Sequence, residues 1–178
     1  MKFHKLTLIS LLLGFFLLIP KVNALVTPTK EFYVNDYANV LSDETENYIM
    51  SYSPSIYSKT GIQIVIVTVN SLEGMDVDTY GNELYRAFGI GNKEDNKGLL
   101  LLISKGDRKY RIEVGYGLEG DFNDAKIGRM RSEYLLPYLK EDDYNNGVLN
   151  FYKAFINELS NIYDLSITAN PIKGNTSE

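Results

Sequence analysis

Two stretches of the chain hold almost nothing but branched aliphatic side chains, Ile62 to Val69 and Leu99 to Ile103. A half-buried strand alternates apolar with polar positions, so runs without alternation predict strands covered on both faces, as at the centre of an α/β sheet. Between them Val77, Tyr80, Leu84 and Phe88 recur at helical spacing, with Asp76 placed to cap the helix and Gly89 and Gly91 to stop it. Strand, helix, strand in that order predicts a right-handed parallel crossover. Beyond the Gly106-Asp107 turn signal, Tyr110, Ile112 and Val114 alternate with Arg111 and Glu113. This predicts a third strand, Tyr110 to Val114, antiparallel to the second and polar on one face.

The helical pattern recurs on either side. Ser42 opens a stripe of Tyr48, Ile49, Tyr52 and Ile56, with Asp43 and Glu44 in the first turn, and Pro54 predicts a break or kink before Gly61. Asn123 or Asp124 caps a helix carrying Ile127, Met130 and Tyr134 as far as Pro137. Asp143 opens the last helix, whose stripe of Val148, Tyr152, Phe155, Leu159 and Tyr163 suits packing on a sheet. Leu25 to Val40 reads as irregular. The expected fold is α/β, a three-layer α/β/α sandwich with a mixed, mostly parallel central sheet and one antiparallel hairpin. It occupies residues 25–165, and 166–178 form a polar, flexible tail.

The start of the chain changes where this domain is expected to work. Met1 to Lys5 is basic, Leu6 to Ile19 is an uncharged apolar run of 14 residues, and Val22 and Ala24 stand at the small positions read by a signal peptidase. Residues 1–24 therefore read as a signal peptide, the apolar run being shorter than the roughly 18 residues of a membrane span. An exported protein, soluble in the envelope or outside the cell, is expected, with retention of the segment as an anchor the alternative. Cleavage removes Lys2, Lys5 and Lys21 of 18 basic residues, leaving 15 against 23 acidic ones, a net charge of −8. That balance disfavours nucleic acid and anionic membrane, and a monomer is expected. The one histidine, His4, lies in the signal segment and the chain has no cysteine. Serine–histidine and cysteine–histidine nucleophiles and conventional zinc sites are thereby excluded from the mature protein.

Oxygen-bearing chemistry remains. Gly115-Tyr116-Gly117-Leu118-Glu119-Gly120 spells G-x-G-x-x-G, but Glu119, Asp121 and Asp124 would set carboxylates where a pyrophosphate should lie. A tight bend is the better explanation, and no nucleotide cofactor is expected. Acids and amides cluster in three loops, Asn35-Asp36, Glu94-Asp95-Asn96 and Glu119 to Asp124. Loops of that chemistry beyond strand ends suit Ca²⁺ or Mg²⁺, whereas the local alternative is an Asx-turn at Asp36, a solvated loop at Asp95 and a helix cap at Asp124. Tyr33, Tyr37 and Tyr116 lie near these loops and offer binding area for peptide or glycan, while most of the 14 tyrosines follow core stripes.

Four ordered blocks carry a resemblance: Asn35 to Ser42 (NDYANVLS), Thr60 to Val69 (TGIQIVIVTV), Asp95 to Leu102 (DNKGLLLL) and Arg111 to Gly120 (RIEVGYGLEG). From about Phe32 to Tyr163 the chain resembles the TPM domain family, whose members include exported bacterial proteins, a thylakoid-lumen protein described as an acid phosphatase, and an auxiliary subunit of acetylcholine receptors. The resemblance implies the α/β/α sandwich. It also implies that Asp36, Asp95 and Asp124 flank a shared cleft for a divalent cation, Ca²⁺ ahead of Mg²⁺, with Asn96, Arg111, Tyr116, Glu119 and Asp121 as further ligand-binding candidates. A glycine-rich tail and membrane helix found in many bacterial relatives are not expected here. Two functions follow as expectations: a cation-binding accessory module for an envelope or membrane-protein partner, or a metal-assisted acid phosphatase in which Arg111 steadies the phosphate.

Overall fold

In the computed structural model, which describes residues 25–175, the two unalternating runs form the middle of a four-stranded sheet. The signal-peptide expectation lies outside the described residues. Strands β1 (Val34–Asp36), β2 (Gln63–Val69), β3 (Gly98–Ser104) and β4 (Lys109–Val114) lie side by side in chain order. β1, β2 and β3 are parallel, and β4 runs antiparallel to β3, so the sheet is mixed as expected. The short β1 falls inside the segment that sequence pattern marks as irregular; three residues are too few for a periodicity to show.

Successive side chains of a strand face opposite ways, and the two faces are buried separately. Ile64, Ile66, Leu99, Leu101 and Ile103 share one core with α1 (Asp43–Thr60), α3 (Asp124–Tyr134), α4 (Leu136–Lys140) and α5 (Tyr144–Tyr163). Val65, Val67, Leu100 and Leu102 share the other with α2 (Val77–Phe88). Each of these aliphatic side chains gains about 1.5–3 kcal/mol from burial, which is why both faces must be covered. A helix layer, a sheet and a second helix layer result, the three-layer sandwich. Among the described residues no helix is long and apolar enough to cross a membrane.

Pro54 sits inside α1 without ending it. Its ring removes the N–H that Met50 would otherwise receive, and at this turn the buried Tyr152 hydroxyl enters from α5, donating to the Ile49 carbonyl at 3.2 Å and bonded to the Ser53 hydroxyl at 2.6 Å. Residues 166–175 have no helix or strand; Ala169 is buried, the Gly174 N–H donates to the Glu133 carbonyl, and Lys173 pairs with the Glu133 carboxylate at 2.8 Å.

Candidate functional site

Asp36 closes β1, opposite Thr68 of β2, on the rim formed by the carboxyl ends of the parallel strands. One carboxylate oxygen accepts the N–H groups of Val40 and Leu41, both at 2.8 Å, and the other accepts the Thr68 hydroxyl. Asp36 thus braces the loop that leads the chain from β1 toward α1, through the N–H groups four and five residues on and not the Asx-turn that its local chemistry suggested.

Asp95 lies at the opposite rim. Its loop runs into Gly98, which is opposite Gln63 at the start of β2, and the Gln63 N–H donates to the Lys97 carbonyl at 3.0 Å. Thr68 lies five residue steps along the strand from Gln63, roughly 17 Å at a rise of about 3.3 Å each. Oxygens on one Ca²⁺, bound at about 2.3–2.6 Å, must lie within about 5 Å of one another. Asp36 and Asp95 therefore do not share an ion, which corrects the expectation of one three-carboxylate cleft. Among the described residues no group of three or more His, Cys, Asp or Glu side chains is placed to hold a metal ion. Asp124 stands in the first turn of α3, where Asn123 is the cap, accepting the Lys126 N–H at 3.0 Å. Asp95 and Asp124 are both exposed, and neither carboxylate takes a hydrogen bond from a described residue.

The remaining candidates separate by what they touch. Arg111 is committed: its guanidinium donates to Glu113 at 2.9 and 3.3 Å and to Asp78 at 3.0 Å, and these contacts, the Glu113 hydrogen bond first, hold its pKa above the ordinary arginine value. Two carboxylates already neutralise it, so a role in steadying phosphate is not supported by its surroundings. Asp121 is structural, accepting the Tyr163 hydroxyl at 2.7 Å, and burial followed by this hydrogen bond pushes that phenol up to about 12.

Asn96, Tyr116 and Glu119 do come together, at the rim that also carries Asp95. The reason is the glycine motif. Gly115 has φ of −67°, which any residue can adopt, so it is required for space and not for conformation. A β-carbon there would stand less than 3.0 Å from the Asn96 carbonyl and amide oxygens and from the Tyr85 hydroxyl; one at Gly117 would strike the Asp95 carbonyl. Backbone of the 92–97 loop thereby packs on the turn after β4, and the Gly117 N–H donates to the Asn96 carbonyl at 3.1 Å. Tyr85 fills the space between, donating to Asn96 Oδ1 at 3.0 Å, and burial together with the Glu113 charge raises its pKa to about 12. On this base a single 3₁₀ turn, Tyr116–Leu118, buries Leu118 and turns Tyr116 outward to 80% exposure. Beside it lies a cleft of about 450 Å³ lined by Tyr85, Arg86, Asn96, Glu113 and Glu119. The G-x-G spacing is thus a packing device.

A larger groove, about 810 Å³, runs along 108–112 between the start of α2 and the face of α3 that carries Asp124, Ile127 and Arg131. Sequence pattern singled out neither Tyr85, one aromatic in a helical stripe, nor Arg131, one charge on an amphipathic helix.

The TPM domain family model matches residues 34–158, spanning the whole sheet and most of α5. The chain belongs to the TPM domain family. Among solved structures this TPM domain is similar to the N-terminal domain of a protein from P. gingivalis, with 28% identity and a TM-score of 0.68, covering 74% of this chain and 84% of that one. It also shares its fold with the N-terminal domain of the cg2496 protein from Corynebacterium glutamicum (18% identity, TM-score 0.55, 87% and 97% of the two chains). The BA42 protein from Bizionia argentinensis is a third such structure (16% identity, TM-score 0.59, 76% and 95% covered). No curated protein matches the sequence.

Proposed function

We propose that this TPM domain is a non-catalytic, extracytoplasmic interaction module that presents the Tyr116 rim to a protein of the cell envelope. The observation that carries the reading is an 80% exposed tyrosine on a turn whose base is packed backbone to backbone. A side chain that combines large apolar area with a polar tip, held without loss of main-chain freedom, is what a binding anchor needs. The absence of histidine and cysteine from the mature chain and the commitment of Arg111 weigh against the phosphatase alternative. In the same reading a divalent cation, Ca²⁺ ahead of Mg²⁺, is a ligand that orders the rim and not a reagent. Asp95 is its protein anchor, and Asp36 takes no part.

Affinity capture from intact cells, comparing the parent with Tyr116→Ala, tests the proposal. A specific envelope protein enriched by the parent and reduced at least about tenfold by loss of an aromatic anchor is the expected result. Equal enrichment by both proteins would remove the rim from the function.

A further inference from the structure

Among the described residues β4 is the last strand of the sheet, and one of its edges has no neighbouring strand. Which backbone groups face that edge follows from the ladder. Gly115 donates its N–H to the Gly98 carbonyl at 2.8 Å, making this pair a hydrogen-bonded one; by the register, Glu113 with Leu100 and Arg111 with Leu102 are the next. Tyr110, Ile112 and Val114 lie between, and their N–H and C=O groups point away from β3. Among the described residues no other segment bonds to them.

The edge is recessed. Val77 and Asp78 of α2 stand on one side, Ile127 and Arg131 of α3 on the other, and the edge strand lies at the floor of the 810 Å³ groove. The charges around it are mostly spoken for: Arg111 by Glu113 and Asp78, Arg108 by Asp142 at 2.7 Å, and Asp76 by the N–H groups it caps. Two cations of the lining, Lys109 and Arg131, and one acid, Asp124, form no ion pair among the described residues, which leaves the unpaired charge of the groove positive, and Arg131 Nε is a buried donor without an acceptor. The terminal Nη groups of Arg131 also make no hydrogen bond or ion pair among the described residues, and it is through these that the guanidinium can take a carboxylate.

We propose that this groove binds an extended peptide segment bearing an acidic side chain, which adds to β4 as a fifth strand and sets its carboxylate on Arg131. Main-chain bonds to Tyr110 and Ile112 supply the pairing, and the arginine supplies the selection. A second copy of the chain is not the occupant. Its own β4 is equally recessed between two helices, so two such edges meet their helices before they reach the roughly 4.8 Å of a strand pair. The proposal stands on the groove alone, and its failure would leave the Tyr116 reading where it was.

The test is a ¹H–¹⁵N NMR titration of the purified protein with three eight-residue probes of alternating threonine and valine. One carries a central glutamate, one a central lysine, and the third is the glutamate peptide N-methylated at alternate residues. The glutamate peptide should move the Tyr110 and Ile112 amides and protect them from solvent exchange. N-methylation should abolish binding, and the lysine peptide and the Arg131→Gln protein should each bind roughly tenfold or more weakly, as loss of a charge-assisted hydrogen bond predicts. Equal binding of all three peptides, shifts confined to other surfaces, or no binding by the glutamate peptide would overturn it. So would self-association of the free protein through β4, detected by sedimentation, because the second copy would then hold the edge.

Discussion

Replacing Gly115 by alanine separates a packing glycine from a nucleotide-binding one. The new methyl group would lie less than 3.0 Å from two oxygens of Asn96 and from the Tyr85 hydroxyl, and the nearest is main chain, which cannot swing aside. Overpacking of this kind costs about 1–3 kcal/mol. Displacing Tyr85 also breaks its 3.0 Å bond to Asn96, worth about 1 kcal/mol net. The sum, about 3 kcal/mol, corresponds to a fall in Tm of roughly 6–12 °C for a domain of this size. At Gly120 in the same motif a methyl group would meet nothing within 4 Å, and φ is not positive. Gly120→Ala should therefore be neutral or stabilise by up to about 1 kcal/mol through the unfolded chain. Thermal and urea unfolding followed by circular dichroism reads both variants. A tolerated Gly115→Ala, or a Gly120→Ala as damaging as Gly115→Ala, would refute the packing account of the motif.

Tyr152→Phe removes the hydroxyl shared by Ser53 and Ile49 inside α1 and should lower stability by about 1–3 kcal/mol in urea unfolding, since buried partners are left unsatisfied. The Asp107 carboxylate is held below its ordinary range, first by the Ser104 hydroxyl and next by the Leu72 N–H. Its folded value is thus depressed, so the stabilisation is present above the unfolded value of about 3.9 and is lost as pH falls through the folded one. Asp107→Asn should therefore lower Tm at neutral pH and flatten its decline below about pH 4, as a pH series of melts would show. Asp36→Asn should cost about 1–2 kcal/mol through the Val40 and Leu41 bonds, yet leave any Ca²⁺-dependent thermal shift unchanged; loss of that shift would restore Asp36 to a cation site.

The central strands, the crossover helix and the hairpin were legible because burial on both faces writes unbroken aliphatic runs, and a polar face writes alternation, as at Arg111 and Glu113. Pro54 does not break α1, because the propensity of one residue is local, while the Tyr152 hydroxyl that reaches this turn comes from a helix about a hundred positions away in the chain. The acids misled for a related reason. Asp36 and Asp95 both adjoin strands, but one follows β1 and the other precedes β3, and parallel strands send those two positions to opposite rims. Asn96 and Glu119 stood out as members of the acid and amide loops and Tyr116 as a tyrosine near them, whereas their meeting at one rim depends on packing of the 92–97 loop on the turn after β4. Arg131 left no trace, since only the assembled groove sets its Nε apart.

The reading of the Tyr116 rim as a partner surface is tested most directly by site-specific photocrosslinking in living cells, with a benzophenone amino acid at position 116 and, as control, at the exposed Tyr57 of α1. A discrete crosslink to one envelope protein from position 116, absent from position 57, is the predicted result. The same pattern from both positions, or no crosslink from 116 in correctly exported protein, would contradict it.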